Sequence, residues 1–193
     1  MIITITGEPG SGKSTIGRKL AQELSYKHYY IGQIRRDAAR KRGMTLAEYN
    51  KYGENHPETD TEVDEYQKKL GEEEDNFVIE GRTSWFFIPN SIKIYISVSQ
   101  EEGAKRVFKE LQEENNRNED RELITLEDVM RSHREREKSD ALRYKKYYNI
   151  DYFDKSVYDI VLDTTNLNRE EAFNSIWNKV KEVIKDEKTD QKN

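Results

Sequence analysis

A parallel α/β fold is what this sequence predicts, on three observations: five short stretches rich in β-branched and aromatic residues, helix-like segments between them, and a glycine-rich turn directly after the first stretch. The stretches are Ile2–Thr6, Tyr29–Ile31, Phe77–Glu80, Ile92–Val98 and Ile160–Asp163. Short apolar strands alternating with longer helices form a parallel sheet, because each crossover helix covers a face of the sheet. A chain of 193 residues suits one such core. The expected organisation is one domain over residues 1–185, followed by a polar tail, 186–193, expected to be disordered.

The helical segments are predicted at about Ser14–Leu24, Ile34–Lys41, Leu46–Tyr52, Asp60–Leu70, Glu101–Asn115, Leu126–Tyr148 and Arg169–Ile184. Two are announced by capping signals, Thr45 with Glu48 and Thr125 with Asp128, each a side-chain acceptor three residues before an acidic partner. The segment at about 33–70 is too long for a single crossover and carries Gly43, Gly53 and His56-Pro57 as breaks, so it reads as a helical insert. A second segment, about 113–143, opens with a polar tract at 113–122 and continues into an arginine-rich helix, the pattern of a mobile lid.

Composition narrows the function classes. Apolar residues make up 34% and charged residues 37%, and 33 basic against 38 acidic side chains leave a net charge of −5, the opposite of a nucleic-acid-binding footprint. With no cysteine, a disulfide framework, a thiolate metal site and a cysteine nucleophile are all excluded. No apolar run reaches the roughly 18 residues that span a bilayer, so a cytoplasmic protein without membrane partners is expected.

The turn after the first strand carries the chemistry. Gly7-Glu8-Pro9-Gly10-Ser11-Gly12-Lys13-Ser14, continuing to Thr15, fits G-x-x-x-x-G-K-[ST] between a strand and a helix. Its glycines let backbone N–H groups face a phosphate chain, and the following helix adds its positive end to the same anion. Lys13 suits the β- and γ-phosphates, and the Ser14 hydroxyl suits a magnesium ion.

Transfer between two anions needs cations on the acceptor as well, since the transition state spreads negative charge. Glu80-Gly81-Arg82 at the end of the third strand offers a carboxylate for magnesium through water, a close approach, and a guanidinium for phosphate. Arg35 or Arg36 opens the insert. Arg136 and Arg143, seven residues apart, project within about 20° of each other on one helix and form a second clamp. The three histidines, His28, His56 and His133, lack metal-ligand spacing with one another and read as structural or surface residues.

The ordered set of motifs resembles the nucleoside monophosphate kinases, and among them the compact archaeal-type cytidylate kinases. The resemblance rests on Gly7–Thr15, Ile31-Gly32 leading to Arg36, Arg42-Gly43-Met44, Pro57-Glu58-Thr59-Asp60 running to Asp64, Glu80-Gly81-Arg82, Arg136-Glu137, Arg143-Tyr144 and Tyr158-Asp159 leading to Asp163-Thr164. It implies a three-layer P-loop NTPase fold with a five-stranded parallel sheet of order 2-3-1-4-5, a monophosphate-binding insert and a lid. It also implies transfer from ATP to CMP or dCMP. Magnesium is the cofactor expected from the loop, and a monomer is the expected working unit. Carried onto this sequence, it puts Arg36 and Arg82 on the acceptor phosphate, Arg136 and Arg143 at the transferring group, and Arg106 with Asp163-Thr164-Thr165 beside ATP.

A second arginine one turn past Arg106, usual in that family, is replaced here by Glu110. Cytosine presents an amino donor beside acceptors, which Asp60, Asp64 and Gln67 on the insert can match. Two other readings of the same loop remain: a kinase for a different monophosphate or small metabolite, and a module that binds ATP without transfer.

Overall fold

A computed structural model describes residues 1–113 and 123–190 of the chain. Its centre is a five-stranded parallel sheet of order β2-β3-β1-β4-β5, formed by β1 (Ile2–Gly7), β2 (Lys27–Tyr30), β3 (Phe77–Glu80), β4 (Ile92–Ser97) and β5 (Ile160–Asp163). This is the predicted order. Pairing of Ile5 and Tyr30 with Glu80, and of Gly7 with Ile96, brings the carboxyl ends of four strands to one edge. Strand order reverses on either side of β1, and open α/β sheets bind ligands at such a switch point.

Alternation along the strands sorts the core into layers. Ile3, Ile5, Val78, Ile94 and Ile96 pack with Ile16 and Leu20 of α1 (Lys13–Leu24) and with Phe173, Ile176 and Val180 of α8 (Arg169–Asp190). On β3 the intervening residues Phe77 and Ile79 face the other way and pack with Ile31, Val63 and Leu70. Those three belong to α2 (Ile31–Lys41) and α4 (Glu58–Glu73), which with α3 (Leu46–Gly53) form the insert between β2 and β3.

After β3 come the one-turn helix α5 (Ser84–Phe87), then β4, α6 (Gln100–Leu111), α7 (Leu126–Tyr148) and a 3-10 turn at Lys155–Val157. The two capping boxes form as predicted, at Thr45 with Glu48 and at Thr125 with Asp128.

Several boundaries move. β2 lies earlier than Tyr29–Ile31 because Ile31 already begins α2. The single turns at Ser84–Phe87 and Lys155–Val157 are too short to leave a periodic signal. α8 runs past Ile184 to Asp190, so the expected disordered tail is helical over 186–190; its Lys and Glu residues favour helix and no glycine or proline interrupts them. Residues 191–193 lie outside the described residues, as do 114–122, on which most of the polar tract of the expected lid falls.

Candidate active site

The glycine-rich loop closes over the switch point with the geometry its sequence demands. Gly12 has φ 88°, a left-handed conformation that a side chain disfavours, and it caps the start of α1. Gly10 lies so close to α6 that a Cβ on it would sit 2.2 Å from the carbonyl oxygen of Gly103. Glu8 holds the loop to β4: its carboxylate accepts from the Val98 N–H at 2.6 Å and the Tyr95 hydroxyl at 3.2 Å, while its own N–H donates to Ile96 O at 3.2 Å. The residue named with the loop as an ATP contact thus has its side chain and N–H engaged by β4, because the loop must be braced from beneath. Lys13 Nζ donates to Glu8 O at 2.5 Å, across the loop's mouth.

Ser14, in the first turn of α1, donates through Oγ to Glu80 Oε2 at 2.7 Å. Glu80 is 2% exposed, and its other oxygen accepts from His28 Nε2 at 2.6 Å. A hydroxyl and an adjacent carboxylate beside a phosphate-binding loop are hard oxygen donors of the kind magnesium takes, with phosphate and water completing its shell. Among the described residues no three His, Asp or Glu side chains cluster as a metal cage. The residues present therefore fit magnesium. No local signal pairs His28 with Glu80, which lies 52 residues away along the chain.

The arginines converge on two buried aspartates. Arg82, leaving β3, donates through Nη1 to Gly7 O at 2.9 Å and through Nε to Asp140, and its guanidinium lies over the Tyr152 ring. Asp140, on α7, also accepts from Arg143, and Arg136 Nε lies 3.9 Å from it. Burial pushes the Asp140 carboxyl up, but Arg82, Arg143, Arg136 and Arg35 outweigh it and hold it at about 2. The shared helix face of Arg136 and Arg143 is thus real, but the side chain they share is Asp140, missed although it lies four residues after one and three before the other.

Arg143 is fully buried and bridges Asp140 to Asp60 of α4. Asp60 also accepts from Arg35 Nη1 at 2.7 Å, and Arg35 Nε donates to Asn50 Oδ1 at 2.8 Å. Both terminal nitrogens of Arg143 thus donate to carboxylates, and two guanidiniums share Asp60 Oδ1. Buried polar atoms remain without a hydrogen bond at this junction, namely Arg35 Nη2, Arg143 Nε, Asp60 Oδ2 and Tyr152 OH.

Arg36, 3% exposed, donates through Nη1 to the Tyr30 hydroxyl at 2.7 Å and sits over that ring. Asp64 accepts from Gln67 Nε2 at 2.9 Å, Thr83 Oγ1 at 3.0 Å and the Tyr148 hydroxyl. Burial is the main reason its carboxyl is pushed up to about 6, with Asp60 adding to the shift. Gln67 is fully buried, and Ser84 Oγ donates to its Oε1 at 2.6 Å. Arg106 reaches the opposite flank of the loop, donating to Thr164 O at 2.8 Å and to Glu102 at 2.8 Å. Thr164 Oγ1 in turn donates to Ser11 O at 3.1 Å, so Arg106 and Thr164 meet beside the loop.

Sheet order, loop and flanking arginines together define a P-loop kinase fold. A shikimate kinase structure from Bacteroides thetaiotaomicron shares that fold with a TM-score of 0.61, 14% identity, and coverage of 96% of this chain and 98% of that one. Residues 2–166 match the Cytidylate kinase-like family, and the chain belongs to it. A cytidylate kinase of Methanopyrus kandleri is 38% identical over 90% of this chain and 89% of its own length, and one of Pyrococcus furiosus is 39% identical over 90% and 84%. Among the described residues no helix is long and apolar enough to cross a membrane.

Proposed function

We propose that the chain transfers the γ-phosphoryl group of ATP to CMP or dCMP, giving ADP and the corresponding diphosphate, as a monomer in the cytoplasm. The observation that carries this reading is Arg82, which joins the carbonyl of Gly7 in the donor loop to Asp140 of α7. A loop that only held ATP would need no buried set of guanidiniums between it and a helical insert. Three of them, Arg35, Arg82 and Arg143, are held by two shared carboxylates, Asp60 and Asp140, between the loop and the insert.

On this reading the N–H groups of the loop and Lys13 hold the donor phosphates, with Arg106 and Thr164 flanking the nucleotide. Ser14 and Glu80 hold magnesium, which neutralises charge on the phosphates when bound. Arg36 and Arg82 grip the acceptor phosphate, and Arg136 comes from the lid side. Arg143 and Asp60 act one step back, orienting Asp140 and fastening the insert. Asp64, beside Tyr148 and Thr83, is the carboxylate for an amino group on the base.

The acceptor oxygen is already anionic, so no protein nucleophile or general base is required. Catalysis is alignment, charge stabilisation and exclusion of water. Incubating the protein with γ-labelled ATP, magnesium and CMP is expected to place the label in CDP. Label appearing only as inorganic phosphate, or staying in ATP, contradicts the proposal.

A further inference from the structure

The mechanism above leaves His28 without a task, yet its position is constrained from two sides. It stands on β2, where His28 pairs with Val78 and Tyr30 with Glu80, so alternation puts the side chains of His28 and Glu80 on the same face of the sheet. That face is the one covered by α1, where Ile16 and Leu20 pack with Val78. Nε2 of His28 lies 2.6 Å from Glu80 Oε1, while Glu80 Oε2 accepts from Ser14 Oγ at 2.7 Å. A carboxylate only accepts, so Nε2 carries the hydrogen.

The helix also leaves room for this pair. Gly17 lies one turn after Ser14, and a Cβ there would stand 3.1 Å from both Glu80 Oε1 and His28 Nε2. Glycine inside a helix costs about 1 kcal/mol relative to alanine, so the gap has a stability cost.

We propose that His28 is a positioning residue for the divalent cation that accompanies the nucleotide: it fixes Glu80 through Oε1, so that Oε2 stays beside the Ser14 hydroxyl. The inference rests on the assignment of Ser14 and Glu80 to magnesium. A carboxylate buried at 2% exposure and held at one oxygen has lost the rotation by which it would turn away from the ion. Outer partners that orient ligands in this way typically change metal affinity by about 10–100-fold when removed.

The test is binding, with no turnover required. The affinity for a non-hydrolysable ATP analogue is titrated calorimetrically in magnesium chloride and again in EDTA, and the ratio gives the enhancement due to magnesium. His28→Phe, which keeps a ring but has no donor, is expected to lower that enhancement by about tenfold while leaving the EDTA affinity unchanged. His28→Gln, which retains an N–H donor, is expected to preserve most of it.

Gly17→Ala leaves His28 in place but presses on the pair, and is expected to lower the enhancement while keeping or raising thermal stability. It therefore reports even if His28→Phe folds poorly. Full enhancement in both His28→Phe and Gly17→Ala overturns the proposal, as does an equal loss with and without magnesium, which would make His28 a space-filling residue. Glu80→Gln separates the two levels: if it too leaves the enhancement intact, the magnesium assignment itself is wrong; if it abolishes the enhancement while His28→Phe does not, only the role of His28 falls.

Discussion

Lys13 and Asp64 illustrate how differently two charged side chains behave within one site. Lys13 spans the mouth of the loop, donating to Glu8 O at 2.5 Å and lying 3.4 Å from Ser11 Oγ. Lys13→Met is expected to lower kcat for phosphoryl transfer by roughly 10²–10³-fold, the usual cost of deleting one preorganised donor, with the fold intact by circular dichroism. Asp64 is buried, and its carboxyl is raised from 3.8 to about 6, so the folded protein binds its proton more tightly than the unfolded chain does.

That contribution to stability is complete below pH 3.8 and is lost as pH rises through 6, a change of roughly 3 kcal/mol. Asp64→Asn removes the titration. Between pH 4 and pH 7 the unfolding free energy of the variant, from denaturant titrations, should therefore gain on that of the unmodified chain by up to about this amount. A pH-independent difference would show that Asp64 is not the group responsible. Asp64→Asn should also raise KM for the acceptor more than it lowers kcat, if the carboxylate meets the base.

At the scale of elements, α7 acts as a bar laid across the insert. Its last turns donate from Lys146 Nζ to Glu54 O at 2.8 Å and from the Tyr147 hydroxyl to Gly53 O at 2.9 Å, while Tyr148 bonds to Asp64 and Arg143 to Asp60. Asp140 is the pivot, since it ties the same helix to Arg82 at the end of β3. Asp140→Asn should cost about 3–5 kcal/mol at neutral pH, read by equilibrium denaturation, because buried Arg82 loses its countercharge and Arg143 keeps only Asp60. The lowered carboxyl adds an acid limit: Asp140 contributes stability above pH 3.8 that is lost as pH falls toward 2. A loss under 1 kcal/mol would mean that the arginines find other partners.

The loop Gly7–Thr15, the capping boxes and the strand cores were legible because each is encoded by residues near one another in the chain. Asp140 and Asp60 were not read as ion-pair hubs, since their partners come from α2, α7 and the end of β3, and charge on a helix reads equally well as a solvated face. The bond between His28 and Glu80 depends on strand register across the sheet. Arg143 was correctly placed on one face with Arg136, but the depth of its burial could be known only once α7 had docked.

On the scale of the whole molecule, one sheet edge collects the donor loop, the carboxylate beside Ser14 and the arginines, while the insert supplies the other wall. The donor loop and the insert are thus separate elements joined by ion pairs, which is the arrangement the proposed transfer between two anions requires. The acceptor decides the reaction. ADP release, followed by a coupled assay with ATP and magnesium, should depend on the acceptor, with CMP and dCMP exceeding AMP and UMP by at least about tenfold in kcat/KM. ADP release that is the same with and without an acceptor, or that is fastest with another monophosphate, would contradict it.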